Sequence, residues 1–290
     1  MKKLLRYIVT ALPDTHTVNV IVTMIYSFSR LWYLPNYKNP KSFNEIIISL
    51  KLSKNFNYKK ASALTCKLGA KNYLLKCYPT LVVPTLEVFA SPAEVFEYLR
   101  YYSGPPVILK ATHSSGDYMI FDPSSSEFDS DCRLRISKWF NVNYFKLSRE
   151  PNYRSLTPLV IVEPLLTSGD GTPLADYKFF VFKGTVRAIQ VDLGRFSKHT
   201  RAIFDRDWNK LNLVMGYPSA KEEVPKPRNF DALVRVAEKL SQDFDFVRVD
   251  FLHSDEMTYL GELTFFPGNG AERFTPLQGD LNLGKLMTDA

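Results

Sequence analysis

The chain has 290 residues, 45% of them hydrophobic and 23% charged, enough apolar material for one large or two modest cores, which excludes disordered, collagen-like and low-complexity classes. Its net charge of +7 is unevenly spread: residues 1–80 carry thirteen Lys/Arg against Asp14 and Glu45, a net of +11, leaving −4 for the remainder. Such a front end suits a polyanion, whether nucleic acid, an anionic membrane surface or an acidic substrate.

From the N-terminus, Lys2, Lys3 and Arg6 beside Leu4, Leu5, Ile8 and Val9 could form an amphipathic helix lying on anionic lipid; an ordinary surface helix with a solvated basic face is the preferred alternative. Asp14 and His16 break the apolar stretch and no small-residue cleavage site follows, so no signal peptide is expected. Val18 to Phe28 contains Asn19 and Thr23 and is too short for a bilayer span of about 20 residues. Cys66, Cys77 and Cys132 lack CxxC spacing, which points away from disulfides and towards a reducing cytoplasm.

Residues 43–78 read as helices, with Ile46, Ile47, Leu50, Leu64, Leu68, Leu74 and Leu75 at helical intervals. Leu81 to Leu86 reads as a short strand, Pro92 to Tyr101 as a helix capped by Ser91, and Pro106 to Lys110 as a buried strand. Beyond this the pattern is mostly β: Met119 to Phe121, Leu159 to Glu163, then Tyr177 to Phe182 paired through Lys183-Gly184 with Val186 to Val191. A helix over Phe230 to Gln242 precedes strands at Phe246 to Phe251 and Tyr259 to Phe265. The expected class is α+β, with lobes around a cleft.

Period-two alternation places Arg248 and Asp250 on one face of their strand and Glu262 with Thr264 on one face of the next. If these strands form a hairpin, Asp250 lies beside Glu262, and two facing carboxylates repel unless a cation sits between them. Mg²⁺, which takes one or two carboxylates plus phosphate oxygens, is one reading; a surface Arg248–Glu262 salt bridge is the other, and the residues alone do not choose. Lys110 runs into Ala111 to Asp117, whose Ser114, Ser115 and Gly116 could cradle phosphate or simply make a hairpin turn. Trp32, Trp139 and Trp208 read as packing residues, Tyr58, Tyr73 and Tyr78 as core, and His16, His199 and His253 as ordinary histidines without metal spacing. Arg195 to Arg201 reads as a basic loop, solvated or reaching an anion.

Taken together, Asn39 to Glu45, Leu109-Lys110 with His113 to Asp117, Ile161 to Glu163, Asp176 to Phe180, Asp205 to Trp208, Phe246 to Asp250 and Gly261 to Gly268 resemble the TupA-like ATP-grasp family of bacterial surface polysaccharide synthesis. The resemblance covers roughly residues 36–288 and implies an ATP-grasp fold. It would comprise a basic helical region at 1–80, a central lobe with a phosphate lid at 81–160, and a lobe with hinge and metal site at 161–290. It implies ATP and Mg²⁺ as cofactors. Lys67 and Lys110 would contact phosphates, with Cys66 standing where relatives have an acid. His113, Ser114, Ser115 and Gly116 would form the lid, in which Ser114 and Asp117 replace glycines. Glu163 would sit at the adenine hinge, Asp176 and Lys178 beside the nucleotide, Asp250 and Glu262 on Mg²⁺, and Arg248 on the transferred phosphoryl group as the catalytic residue. Thr264 stands where Asn is usual, and Pro267 to Gly270 would line the substrate side.

The implied reaction is carboxylate–amine ligation through an acyl phosphate, joining an amino acid to a uronic acid of a capsule, O-antigen or cell-wall glycan in the cytoplasm, with contact to the inner membrane face. A phosphotransferase acting on a glycan and a non-catalytic basic protein binding lipid or nucleic acid are the alternatives, nucleic acid ranking last because no motif for it is present.

Overall fold

A computed structural model describes residues 8–125, 128–169, 171–194, 198–254 and 257–288. The amphipathic helix expected on Lys2, Lys3 and Arg6 therefore lies outside the described residues. The first long helix is α1 (His16–Leu31), opened by Thr15, whose hydroxyl accepts from the Val18 N–H at 3.3 Å. Three helices then fill the region expected to be helical: α2 (Phe43–Leu52), with a Ser42/Glu45 capping box, α3 (Tyr58–Thr65) and α4 (Lys67–Cys77).

The strand expected from Leu81 is absent. A 3-10 turn occupies Pro79–Leu81 and Val82 makes only an isolated bridge to Leu260, because Pro84 has no N–H to offer a ladder. The strand forms later, as β1 (Glu87–Phe89). Helix α5 (Pro92–Tyr101) has the expected Ser91 cap and Pro at its first position. With β2 (Val107–Ala111), β3 (Tyr118–Phe121) and β4 (Val160–Pro164), β1 makes an antiparallel sheet of order β1-β4-β2-β3. Between β3 and β4, where mostly strand was expected, stand α6 (Ser130–Phe140) and the short α7 (Tyr144–Ser148). Asp129 caps α6 by accepting from Cys132 N–H at 2.8 Å, and the buried Ile136 and Trp139 lie one turn apart. These side chains close a first core with Val95, Leu99, Leu109 and Val162.

The second sheet is also antiparallel, order β10-β9-β5-β6-β7, built from β5 (Ala175–Phe182), β6 (Thr185–Leu193), β7 (Thr200–Asp205), β9 (Phe246–His253) and β10 (Thr258–Thr264). Short strands β8 (Val214–Met215) and β11 (Phe274–Thr275) pair separately. Helix α8 (Phe230–Ser241) covers one face of the large sheet, where Phe179 meets Phe230 and Phe251. On the other face Phe43 of α2 meets Phe180, Phe246 and Phe274 edge-on, with ring centroids 5.5, 6.1 and 6.3 Å away. Helix α9 (Gln278–Thr288) packs beside α2, where Gly284 is needed: a Cβ there would lie 2.3 Å from the Lys41 carbonyl oxygen. The class is α+β, as expected, and among the described residues no helix is long and apolar enough to cross a membrane.

Because Phe43 is fully buried between α2 and the large sheet, Phe43→Ala should cost about 3–5 kcal/mol of stability, measured by urea unfolding. A loss below about 1 kcal/mol would show that this ring cluster does not carry the core.

Candidate active site

The face of the large sheet that holds Phe180 and Phe246 under α2 turns polar within one strand repeat. Two residues along, Lys178 and Arg248 take their places, followed by Asp176 and Asp250. Strand β10 adds Glu262 and Thr264 through a register shift. Up to Leu260, which pairs with Phe251, the alternation would put Glu262 opposite Val249 on the apolar face; a bulge at Gly261 instead sets Glu262 opposite Asp250 and Thr264 opposite Arg248.

Arg248 bridges this pair. Its Nε and Nη2 donate to Asp250 Oδ1 and Oδ2 at 2.7 and 2.6 Å, and Nη2 also reaches Thr264 Oγ1 at 3.1 Å and Glu262 Oε1 at 3.4 Å. An Arg248–Glu262 ion pair therefore exists, but on an 11% exposed arginine in a cleft rather than on a solvated hairpin face. Lys178 donates to Asp176 Oδ1 and Asp250 Oδ2, both at 3.1 Å, with Asp192 Oδ2 at 3.8 Å. Burial opposes the Lys178 charge, yet Asp250 and Asp176 more than offset it and raise its pKa. Burial pushes the Asp250 carboxyl up, against Arg248 and Lys178. Asp192 is also buried, but its bonds to Arg201, at 2.6 and 3.2 Å, together with Lys178, hold it at about 2.

Across the cleft stands the end of the four-stranded sheet. Glu163 on β4 is diagonal to Lys110 on β2, and their charged atoms lie 2.5 Å apart. Its second oxygen pairs with Lys71, which also donates to the Val83 carbonyl at 2.8 Å and Thr85 Oγ1 at 2.7 Å. Burial raises the Glu163 pKa, but Lys110 and Lys71 win and leave it below the usual carboxylate range. One turn before Lys71 on α4, Lys67 donates to the Ala111 and Ser114 carbonyls at 2.8 and 3.1 Å, tying α4 to the loop after β2. Burial lowers the Lys67 pKa.

The cleft between the two sheets measures ≈ 670 Å³, within the range of small-molecule sites. Lys67, Lys110, Glu163, Asp176, Lys178, Arg248, Asp250 and Glu262 all line it, as do Ser115 and Gly116 of the expected lid. His113 and Ser114 do not. Their side chains point into the lobe interior, where His113 Nε2 meets the Trp139 carbonyl at 2.8 Å and burial lowers its pKa. Apolar Ile108, Leu165 and Leu263 supply one wall. At the other end stand Tyr26, Tyr144, Glu150, Tyr153 and the turn Pro267–Gly270, where Lys51 donates to Asn269 Oδ1 at 2.6 Å. Burial pushes the Glu150 carboxyl up and the Lys51 ammonium down, each partly opposed by the other's charge.

Sequence reasoning missed Lys71, Asp192 and Glu150. The i, i+4 repeat of Lys67 and Lys71 was a usable signal for the first; Arg201, assigned to a loop, begins β7 and is buried, while 195–197 lie outside the described residues. Trp139 and Trp208 pack as expected, the latter stacked on Phe204 at 4.3 Å, whereas Trp32 and Tyr73 are exposed. None of the three cysteines forms a disulfide.

Among the described residues no cluster of three His, Cys, Asp or Glu side chains is arranged for a metal. The oxygen-only pair Asp250 and Glu262, with the Thr264 hydroxyl, nevertheless fits a hard cation that completes its sphere with phosphate and water.

The family described as TupA-like ATPgrasp matches residues 51–288. None of the curated proteins matches the chain. Among solved structures, D-alanine–D-alanine ligase from Helicobacter pylori is 16% identical with a TM-score of 0.45, covering 86% of this chain and 68% of that one. A RimK domain ATP-grasp protein from Sphaerobacter thermophilus is 12% identical, TM-score 0.42, with 96% of each chain covered. The ATP-grasp ligase PsnB complexed with a minimal precursor is 14% identical, TM-score 0.40; 79% of this chain matches 59% of PsnB, so the alignment spans less than two thirds of that protein.

Asp192 titrates near 2 in the folded chain against 3.8 for an ordinary aspartate, so its contribution is complete above the unfolded value and is lost as pH falls through the folded one. Urea unfolding between about pH 5 and 2 should show roughly 2 kcal/mol of this loss in the wild type. Asp192→Asn should flatten that limb; an unchanged acid limb would remove Asp192 from the balance.

Proposed function

The chain belongs to the TupA-like ATP-grasp family, whose enzymes use ATP and Mg²⁺, and we propose that it is a carboxylate–amine ligase working through an acyl phosphate. The observation that carries this reading is the alignment of Asp250 and Glu262 beneath Arg248, facing Lys67 and Lys110 across one cleft. Lys67, Lys110 and Arg248 supply fixed positive charge for phosphate oxygens, positioned before any substrate arrives. Asp250 and Glu262 would hold Mg²⁺, which when bound neutralises phosphate charge. Lys178, bonded to both Asp250 and Asp176, holds the two carboxylates in place. Ser115 and Gly116 offer donors over the phosphates, and Gly116 has the left-handed backbone (φ 80) that such a turn needs.

In the proposed reaction a substrate carboxylate oxygen attacks the γ-phosphorus, the bond to the β-phosphate oxygen breaks, and ADP leaves. An amine then attacks the acyl carbon and phosphate leaves with the bonding electrons. The amine arrives as an ammonium and must lose a proton. Glu150, at the far end of the cleft beside Tyr26, Tyr144 and Tyr153 and with a carboxyl raised by burial, takes it. The substrates we propose are an amino acid and a uronic acid of a bacterial surface glycan, for which the basic first 80 residues are complementary.

The test is ADP release over a matrix of amino acids and uronic acids, with mass spectrometry of the product; an amide supports the reading and a phosphorylated glycan overturns it. Asp250→Asn should lower ADP release at least about 100-fold and weaken Mg²⁺-dependent ATP binding in calorimetry; wild-type values for both would remove Asp250 from the metal. Glu150→Gln should slow amide formation about 10- to 100-fold while amine-independent trapping of the acyl phosphate by hydroxylamine is retained. Equal loss of both would deny Glu150 a role confined to the amine.

A further inference from the structure

Helix α1 is built inside out. Its inward arc carries Asn19, Thr23 and Ser27 beside Val22 and Leu31, and the Thr23 and Ser27 hydroxyls are buried with no hydrogen-bond partner among the described residues. Its outward stripe, at spacings of four, three and four, is Ile21, Ile25, Phe28 and Trp32, exposed by 51, 59, 50 and 77%. An amphipathic helix on a globular protein normally turns such residues inward, so this face is built to be covered. The patch continues onto the exposed Leu277 and Leu281, because Tyr33 just beyond α1 donates to Asp280 at 2.8 Å and holds the start of α9 alongside. Trp32 ends the helix in the left-handed region (φ 66), rare for so bulky a residue.

Charge selects the occupant. Helix α1 contains no Asp or Glu. Residues 1–41 carry Lys2, Lys3, Arg6, Arg30, Lys38 and Lys41 against Asp14 alone, a net of +5. Arg273, exposed, donates to the Arg30 carbonyl at 2.8 Å, so two arginines stand at the Trp32 end. A second copy placed on this stripe would bring two such cationic regions together, whereas an apolar face with basic flanks and an amphipathic tryptophan matches an anionic bilayer interface.

We propose that α1 docks the protein in plane on an anionic phospholipid surface, with Ile21, Ile25, Phe28 and Trp32 entering the interface. The same helix turns Tyr26 and Arg30 into the mouth of the cleft, so docking would open the acceptor end towards the lipid. Helix α1 precedes the residues that match the family, and the proposal rests on this chain's own surface rather than on the ligase reading.

The test is co-sedimentation of the full chain with phosphatidylcholine vesicles containing about 30% phosphatidylglycerol, against phosphatidylcholine alone. Binding at least about tenfold stronger to the anionic vesicles is expected, falling at least tenfold in Ile25→Asp/Phe28→Asp, with thermal unfolding unchanged. Absence of binding at low salt, or wild-type binding by the double variant, overturns the proposal. A dimer in sedimentation velocity that the same substitutions dissociate would also overturn it, giving the stripe to a second copy.

Discussion

The constraint on which the site depends is the burial of the Lys178 ammonium among Asp176, Asp192 and Asp250 in the middle of a five-stranded sheet. An isolated charge there would be expelled or neutralised, and removing one member of such a group typically costs about 3–5 kcal/mol because its partners stay behind uncompensated. Two of the carboxylates are shared onward: Asp250 with Arg248, Asp192 with Arg201 and Gln190. One lysine therefore orders a polar surface drawn from four strands, and it does so beside an apolar zone on the same face where Phe43, Phe180 and Phe246 meet. The sheet is apolar where it packs under α2 and charged where it opens.

The opposite wall follows the same logic with the signs exchanged. Here a carboxylate, Glu163, is buried between two lysines from different elements, Lys110 of β2 and Lys71 of α4. Because α4 also sends Lys67 to the Ala111 and Ser114 carbonyls, this helix links the N-terminal helices to the small sheet and its loop. The cleft is thus bounded by two charge clusters, each backed by its own hydrophobic core.

Much of this was legible in the sequence because alternation is local. Arg248 with Asp250, and Glu262 with Thr264, follow from period two along each strand. Their alignment with each other does not, since the bulge at Gly261 that creates it leaves only a glycine as its trace. Glu163 and Lys110 were legible as strand-end charges, but Lys71 and Glu150 come from helices or turns brought in from elsewhere, and pairing across distant segments has no periodic signature. The helices at Ser130–Phe140 and Tyr144–Ser148 were hidden by polar residues on their exposed faces. His113 and Ser114 were assigned by motif position, which carries no information about which way a side chain turns. Trp32 reads as a packing residue in the sequence, yet it falls on the outward stripe of α1 with Ile21, Ile25 and Phe28.

The bulge has a further consequence, for how this chain can change by insertion and deletion. The turn joining β9 to β10 can gain or lose residues in pairs and leave the parity of β10 intact. Around Gly261 a single residue can be lost, because the glycine has no partner in the ladder: its removal leaves Glu262 opposite Asp250 and Leu263 opposite Val249, whereas a ladder that paired Gly261 with Asp250 would drive Glu262 into the core beside Val249 and bring Leu263 onto the charged face. Seven residues of strand therefore contain one position at which pairing, rather than side-chain identity, decides whether the second carboxylate reaches the cleft.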